Sequence, residues 1–293
     1  MTEQEPRRAT ATVALNYVVW GVLPLFWMLL RDVDSVYILA QRIVWSALIS
    51  GAWVLAASRG RLRAAFSGAS PALVFSALAI GVNWGLYIWA VSNGFVSYAA
   101  LAYFVSPLMS VFLGAVVFGE HLTAGKWAAI VLTAIGALLF GWGRSGTGLF
   151  IVFGVAGSFA IYSAIKKTVA VKTVPGLFIE SATLAPVALA LMGTGVLSPG
   201  TALDAPTWAL FVVAGLVTFL PLVVMSHYAR LIPLSLLGIL QFIVPVTQLG
   251  LSVTVFGESI TGAQVAALAV ILAGVGLFLA QTWRPPRERA SRN

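Results

Sequence analysis

Cysteine is absent from the 293 residues, and charged side chains make up only 9% of them. The lack of cysteine excludes a disulfide framework, thiolate metal sites and a cysteine nucleophile. The shortage of charge is more telling, because an ordinary soluble domain carries about a quarter charged residues. With 60% apolar residues, a soluble fold would expose large adhesive patches. Histidine is also scarce: only His121 and His227 occur, far apart, so neither a metal-ligand spacing nor a catalytic triad can be built on them. No phosphate-cradling glycine loop is found, which argues against direct coupling to ATP. No paired carboxylates or nucleophile–base constellation emerges either, so the chain is not expected to be an enzyme, and no cofactor is implied.

What is present is lipid-compatible sequence. Ten runs are long and apolar enough to cross a bilayer, at roughly 10–30, 37–57, 71–92, 98–118, 125–143, 148–166, 176–195, 205–225, 235–256 and 261–282. Each must be helical, because backbone polar groups cannot stay unpaired in hydrocarbon. Breakers separate them, among them Ser70-Pro71, Asn93-Gly94, Gly-Arg-Ser-Gly at 143–146 and Ser198-Pro199-Gly200. The first run follows a charged start, but Trp20 and Pro24 interrupt it and many spans follow. It is expected to be a retained helix rather than a cleaved signal.

The net charge of +8 does not form one patch, so nucleic acid is not an expected partner. The basic residues alternate between ends of the apolar runs. With the N-terminus in the cytoplasm, 14 of the 17 Lys and Arg fall inside, Arg31 and Arg144 fall outside, and Arg42 lies within a span. That asymmetry predicts cytoplasmic N and C termini in the inner membrane.

The chain also repeats itself. At an offset of 138 residues Phe104 meets Phe242, Pro107 meets Pro245, Leu113 meets Leu251, Val117-Phe118-Gly119-Glu120 meets Val255-Phe256-Gly257-Glu258, and Thr123 meets Thr261. The expected organisation is a tail at 1–9, a five-helix unit at 10–143, a second at 148–282, and a basic tail at 283–293. An odd number of helices per unit turns the second copy upside down. Inverted repeats of this kind suit secondary transporters, with the solute bound near midplane between the copies. In the repeated turn, Gly suits a helix C-cap, Thr the next N-cap, and Glu the water interface.

Several in-span residues are candidates for function. Pro107 and Pro245 each leave the carbonyl four residues earlier without its donor, at Tyr103 and Gln241. Two readings stand: the prolines only kink their helices, or the freed groups line a wet cavity. Arg42 and Glu180, again 138 apart, are the clear intramembrane charges. Each is expected roughly 8 Å below its own interface, on opposite sides of midplane and unpaired with the other. Arg42 would snorkel outward or hold a helix-end carbonyl, Glu180 would couple to protons, and gating or coupling is the functional role expected of both, as of Pro107 and Pro245. For both, structural interhelical bonding is the competing reading. Asn83, Trp84 and Tyr87 in the third span, with Asn16 and Trp20 in the first, offer amide and aromatic groups to a small amphipathic or aromatic solute, or serve as interhelical glue and an interfacial belt.

The stretch Asn83-Trp84-Gly85-Leu86-Tyr87-Ile88-Trp89-Ala90-Val91 resembles the NWxxYIWAV segment of the RarD family, in the EamA branch of the drug/metabolite transporter superfamily. Gln41-Arg42-Ile43-Val44-Trp45-Ser46 is similar to that family's RIVWS segment, with Gln41 where histidine is common. Pro233-Leu234-Ser235, Leu240 to Pro245 and the two Phe-Gly-Glu turns agree as well. The resemblance covers the chain outside its tails. It implies ten helices, cytoplasmic termini, and export of a metabolite or drug by alternating access. A membrane scaffold or sensor that transports nothing is the alternative, although such a protein has no need of two inverted halves.

Overall fold

The computed structural model describes residues 4–58, 62–141 and 146–283. Arg59, Arg61, Arg144 and the basic segment 284–293 lie outside the described residues. Among the described residues the elements are helices: α1 (Gln4–Met28), α2 (Ser35–Ser58), a short α3 (Leu62–Ala65), α4 (Ala72–Ser92), α5 (Val96–Phe118), α6 (Ala124–Gly141), α7 (Thr147–Lys167), α8 (Thr173–Gly193), α9 (Ala205–Tyr228), α10 (Leu234–Leu240), α11 (Ile243–Thr254) and α12 (Gly262–Trp283). Ten stretches are long and apolar enough to cross a membrane, the ninth running from Leu236 to Thr254 across α10 and α11. The surface agrees, since Phe75, Leu55 and Val116 stand more than half exposed where a soluble protein would be polar.

The offset of 138 is visible in the backbone. Added to the starts of α2, α5 and α6 at 35, 96 and 124, it gives 173, 234 and 262, the starts of α8, α10 and α12. Gly119 and Gly257 both take φ of 65°, the left-handed conformation that glycine adopts without steric cost. The amide of Glu120 reaches the carbonyl of Gly114, and that of Glu258 the carbonyl of Ser252, at equivalent positions. Thr123 and Thr261 then cap the following helices, their hydroxyls accepting from the amides of Lys126 and Gln264.

Equivalent helices also pack on one another. α6 and α12 run antiparallel with their backbones in contact. A Cβ on Gly136 would come within 2.9 Å of the Ala267 carbonyl and the Ile271 amide, and one on Gly274 within 2.9 Å of the Thr133 amide. These contacts exchange under the offset, since 136 maps to 274 and 133 to 271. Phe104 and Phe242, themselves equivalent, stack with ring centroids 6.0 Å apart where α5 crosses α11. The packing of α7 on α4 and α5 is matched by that of α1 on α9 and α11.

The two proline helices differ. α5 continues through Pro107, whereas α10 ends at Leu240 and α11 begins at Ile243. The Gln241 carbonyl is not left free as expected: the Val244 amide turns back to it at 3.3 Å. A tighter turn replaces the donor that Pro245 lacks.

Candidate functional site

Arg42 lies on α2 beside the long contact of that helix with α9. It does not snorkel. It is 7% exposed, and its Nε donates to the Thr218 hydroxyl at 2.8 Å. Its guanidinium carbon stands 4.2 Å from the centre of the Trp84 ring and 5.2 Å from that of Trp27. Aromatic faces stabilise a cation through their negative quadrupole, more so when water is excluded. The charge also acts on the phenols of Tyr103 and Tyr87, whose rings meet edge to face at 5.7 Å. Tyr87 in turn accepts from the Gln248 amide at 3.0 Å, and Gln248 also donates to the Trp20 carbonyl at 3.3 Å. Arg42, Trp84, Tyr87 and Tyr103 are thus brought together, with Trp20 attached through Gln248.

The remaining expected residues go elsewhere. Asn83 donates to the Val155 carbonyl at 2.8 Å and to the Ser158 hydroxyl at 3.3 Å. Asn16 donates to the Pro221 carbonyl at 3.3 Å. Both amides are buried and join neighbouring helices, and the two crossings they span are equivalent under the offset, 83 mapping to 221 and 16 to 154. Gln241 is half-buried in the turn between α10 and α11, Pro107 is half-buried and Pro245 buried.

Glu180 does not meet Arg42, as expected. It lies 2% exposed on α8, where it accepts from the Ser76 hydroxyl at 2.6 Å and pairs with Lys166 Nζ at 3.0 Å. Lys166 fits there because Gly176 leaves it room. A cleft of about 610 Å³ opens at the same end of the bundle, lined by Trp53 and Val54 of α2, Lys172 and Pro175 at the start of α8, and Ser226 and His227 of α9. None of the residues expected from sequence to act in transport lines it.

Trp27, Thr218, Gln248 and Lys166 were not anticipated. Gln248 could have been found, since an amide within a span is costly and lies two helical turns beyond Gln241. Thr218 and Trp27 carried no signal, because a threonine or a tryptophan in a span is commonplace.

The fold and the buried polar cluster define a multi-pass membrane protein, and comparison with known proteins gives its class as a transporter. Residues 8–142 match the EamA-like transporter family. Protein RarD of Streptomyces exfoliatus is 37% identical over 94% of this chain and 89% of its own length. An uncharacterized transporter of Pseudomonas aeruginosa is 33% identical over 96% of each chain, and Protein RarD of Escherichia coli is 30% identical over 95% of this chain and 96% of that one. A solved crystal structure superposes with a TM-score of 0.60 at 20% identity, covering 95% of this chain and 99% of the other, which extends the agreement to the fold. The chain belongs to the RarD family of EamA-like transporters.

Proposed function

We propose that the chain is a secondary transporter that moves a small organic solute across the inner membrane by alternating access. Its units are 10–143 and 148–282, with the tails 1–9 and 283–293 in the cytoplasm and export as the net direction. The observation that carries this reading is the antiparallel packing of equivalent helices, with contacts that exchange under the offset of 138. A body made of two related halves facing opposite ways has two similar arrangements, one open to each side. The positions of the repeated turns support it: the Glu258 carboxylate sits at the first residues of α5, while Glu120 follows the last residue of that same helix.

The solute site is placed at the cluster of Arg42, Trp84, Tyr87 and Tyr103, with Trp20 behind it. Asn16 and Asn83 hold the helices around that site, and the turn at Gln241 with Pro107 and Pro245 lets them move. Glu180, paired with Lys166 at the other end, is the residue proposed to couple protons. The test is exchange in proteoliposomes loaded with a broad metabolite panel. Solute movement faster than in protein-free vesicles is expected for at least one compound. Rates equal to those of the controls for every compound would return the chain to a scaffold or sensor.

A further inference from the structure

Arg42 and Glu180 occupy equivalent positions, yet among the described residues only Glu180 has a counter-ion. Glu180 faces α4 and is neutralised by Lys166. Arg42 faces α9, and the residue equivalent to Lys166 in its half is Met28, since 166 less 138 is 28. Among the described residues no carboxylate pairs with Arg42, and its two terminal nitrogens have no acceptor. A buried cation is costly unless a charge or a set of hydrogen bonds compensates it. The single bond to Thr218 and the two indole faces offset part of that cost and leave the planar fork of the guanidinium unused.

Donors predominate around that fork, and the one acceptor left over nearby is the buried Gln248 Oε1, which has no partner among the described residues. Trp27 is fully buried and its Nε1–H has no partner among the described residues. Tyr103 has a phenol whose hydroxyl has no partner among the described residues, and the Tyr87 hydroxyl accepts from Gln248 and keeps its own proton to give. Donors and a positive charge without an acidic residue form a site for an anion. Guanidinium and carboxylate match each other through two parallel hydrogen bonds. The guanidinium already covers the indole faces, so Trp27 and Trp84 would flank an apolar or aromatic body attached to that carboxylate through their ring edges.

We infer that Arg42 is the recognition residue for the carboxylate of a small organic acid, so that the cargo of this transporter is an organic anion bound at the guanidinium beside Trp27 and Trp84. The inference rests on the transporter reading for the word cargo, while the binding site stands on the geometry alone. The missing counter-ion is supplied by the solute, and an empty site leaves a buried charge that disfavours the unloaded state.

The test uses the full chain in lipid nanodiscs. Carboxylates graded in size from acetate to N-acetyltryptophan are each compared with their neutral amides, and phenethylamine serves as the cationic control. Binding is read from saturable changes in tryptophan emission and from the thermal midpoint. At least one carboxylate should bind ten or more times tighter than its amide. Arg42→Lys should keep a weakened preference, and Arg42→Gln should abolish it. If no carboxylate outdoes its amide, or if Arg42→Gln retains the preference, the assignment falls. The acid–amide comparison on the unaltered chain decides the matter even if Arg42→Gln fails to fold. A chain that exchanges neutral or cationic solutes and ignores acids keeps the transporter reading and loses this one. A chain that binds acids through Arg42 but exchanges nothing does the reverse.

Discussion

The carboxylate of Glu258 accepts a hydrogen bond from the backbone amide of Ser97 at 3.0 Å, across 161 residues of sequence, and a second from the amide of Val96. It caps the first turn of α5 from the turn between α11 and α12, because Phe95 at the N-cap position has no side-chain acceptor. A negative group there also suits the positive end of the helix dipole. Glu120, its equivalent, is instead exposed and pairs with Lys167.

Removal of that cap should be felt. Glu258→Ala should lower stability by about 1 kcal/mol, in the range of lost N-caps. Glu258→Gln should cost less, since it keeps an acceptor, and Glu120→Gln should cost least, because exposed ion pairs contribute little. Thermal midpoints of the three purified variants give the order. A loss at Glu120 equal to that at Glu258 would contradict it.

The backbone contact of α6 with α12 leaves no space for a methyl group. Gly274→Ala should destabilise by about 1–3 kcal/mol, as overpacking does. Gly276→Ala on the same helix meets nothing within 4 Å and should be neutral or stabilising, given the poor helix propensity of glycine. Resistance to proteolysis in detergent separates the two.

The Lys166–Glu180 pair makes a prediction with two readouts. Lys166→Met strands a buried carboxylate and should destabilise by about 3 kcal/mol, while replacing both partners with apolar residues should recover most of that. In vesicles, Glu180→Gln should lose flux driven by a pH gradient yet keep counterflow exchange. Unchanged gradient-driven flux would remove Glu180 from proton coupling.

Asp204 gives a pH dependence outside the membrane. It accepts from the Thr207 hydroxyl and from the Thr207 amide at 2.9 Å, and these bonds hold its carboxyl below the ordinary value. A depressed folded-state pKa means that the cap contributes fully above the unfolded value of about 3.9 and is lost as pH falls below it. Protection of the amides at the start of α9, taken relative to their intrinsic exchange at the same pH, should therefore fall on acidification through that range. Asp204→Ala should show the lower protection at every pH, and Asp204→Asn should lie between.

The span count was legible because lipid leaves a blunt composition signal, and each of the ten expected runs overlaps a helical span. The offset was legible through residues whose backbone chemistry is special. Gly119 and Gly257 take the left-handed conformation that their place after Phe118 and Phe256 implies. Partners across helices were not legible. Glu258 was placed at the water interface, and only the fold brings it to Val96 and Ser97. Arg42 and Glu180 were correctly kept apart, but Lys166 was counted as a topology signal rather than a counter-ion. Proline showed where a helix could break and not whether it does, since the same residue is absorbed in α5 and interrupts α10 and α11.

That last difference has a mechanical outcome. The joint at Gln241 and Phe242 is already made, so bending α10 against α11 breaks no continuous ladder of backbone bonds, whereas flexing α5 at the matching place strains a helix that lacks only the bond Pro107 cannot make. The related segments are unequal springs. Rearrangements led by α10 and α11 should run ahead of those led by α5, and the protein at rest should favour one side of the membrane over the other.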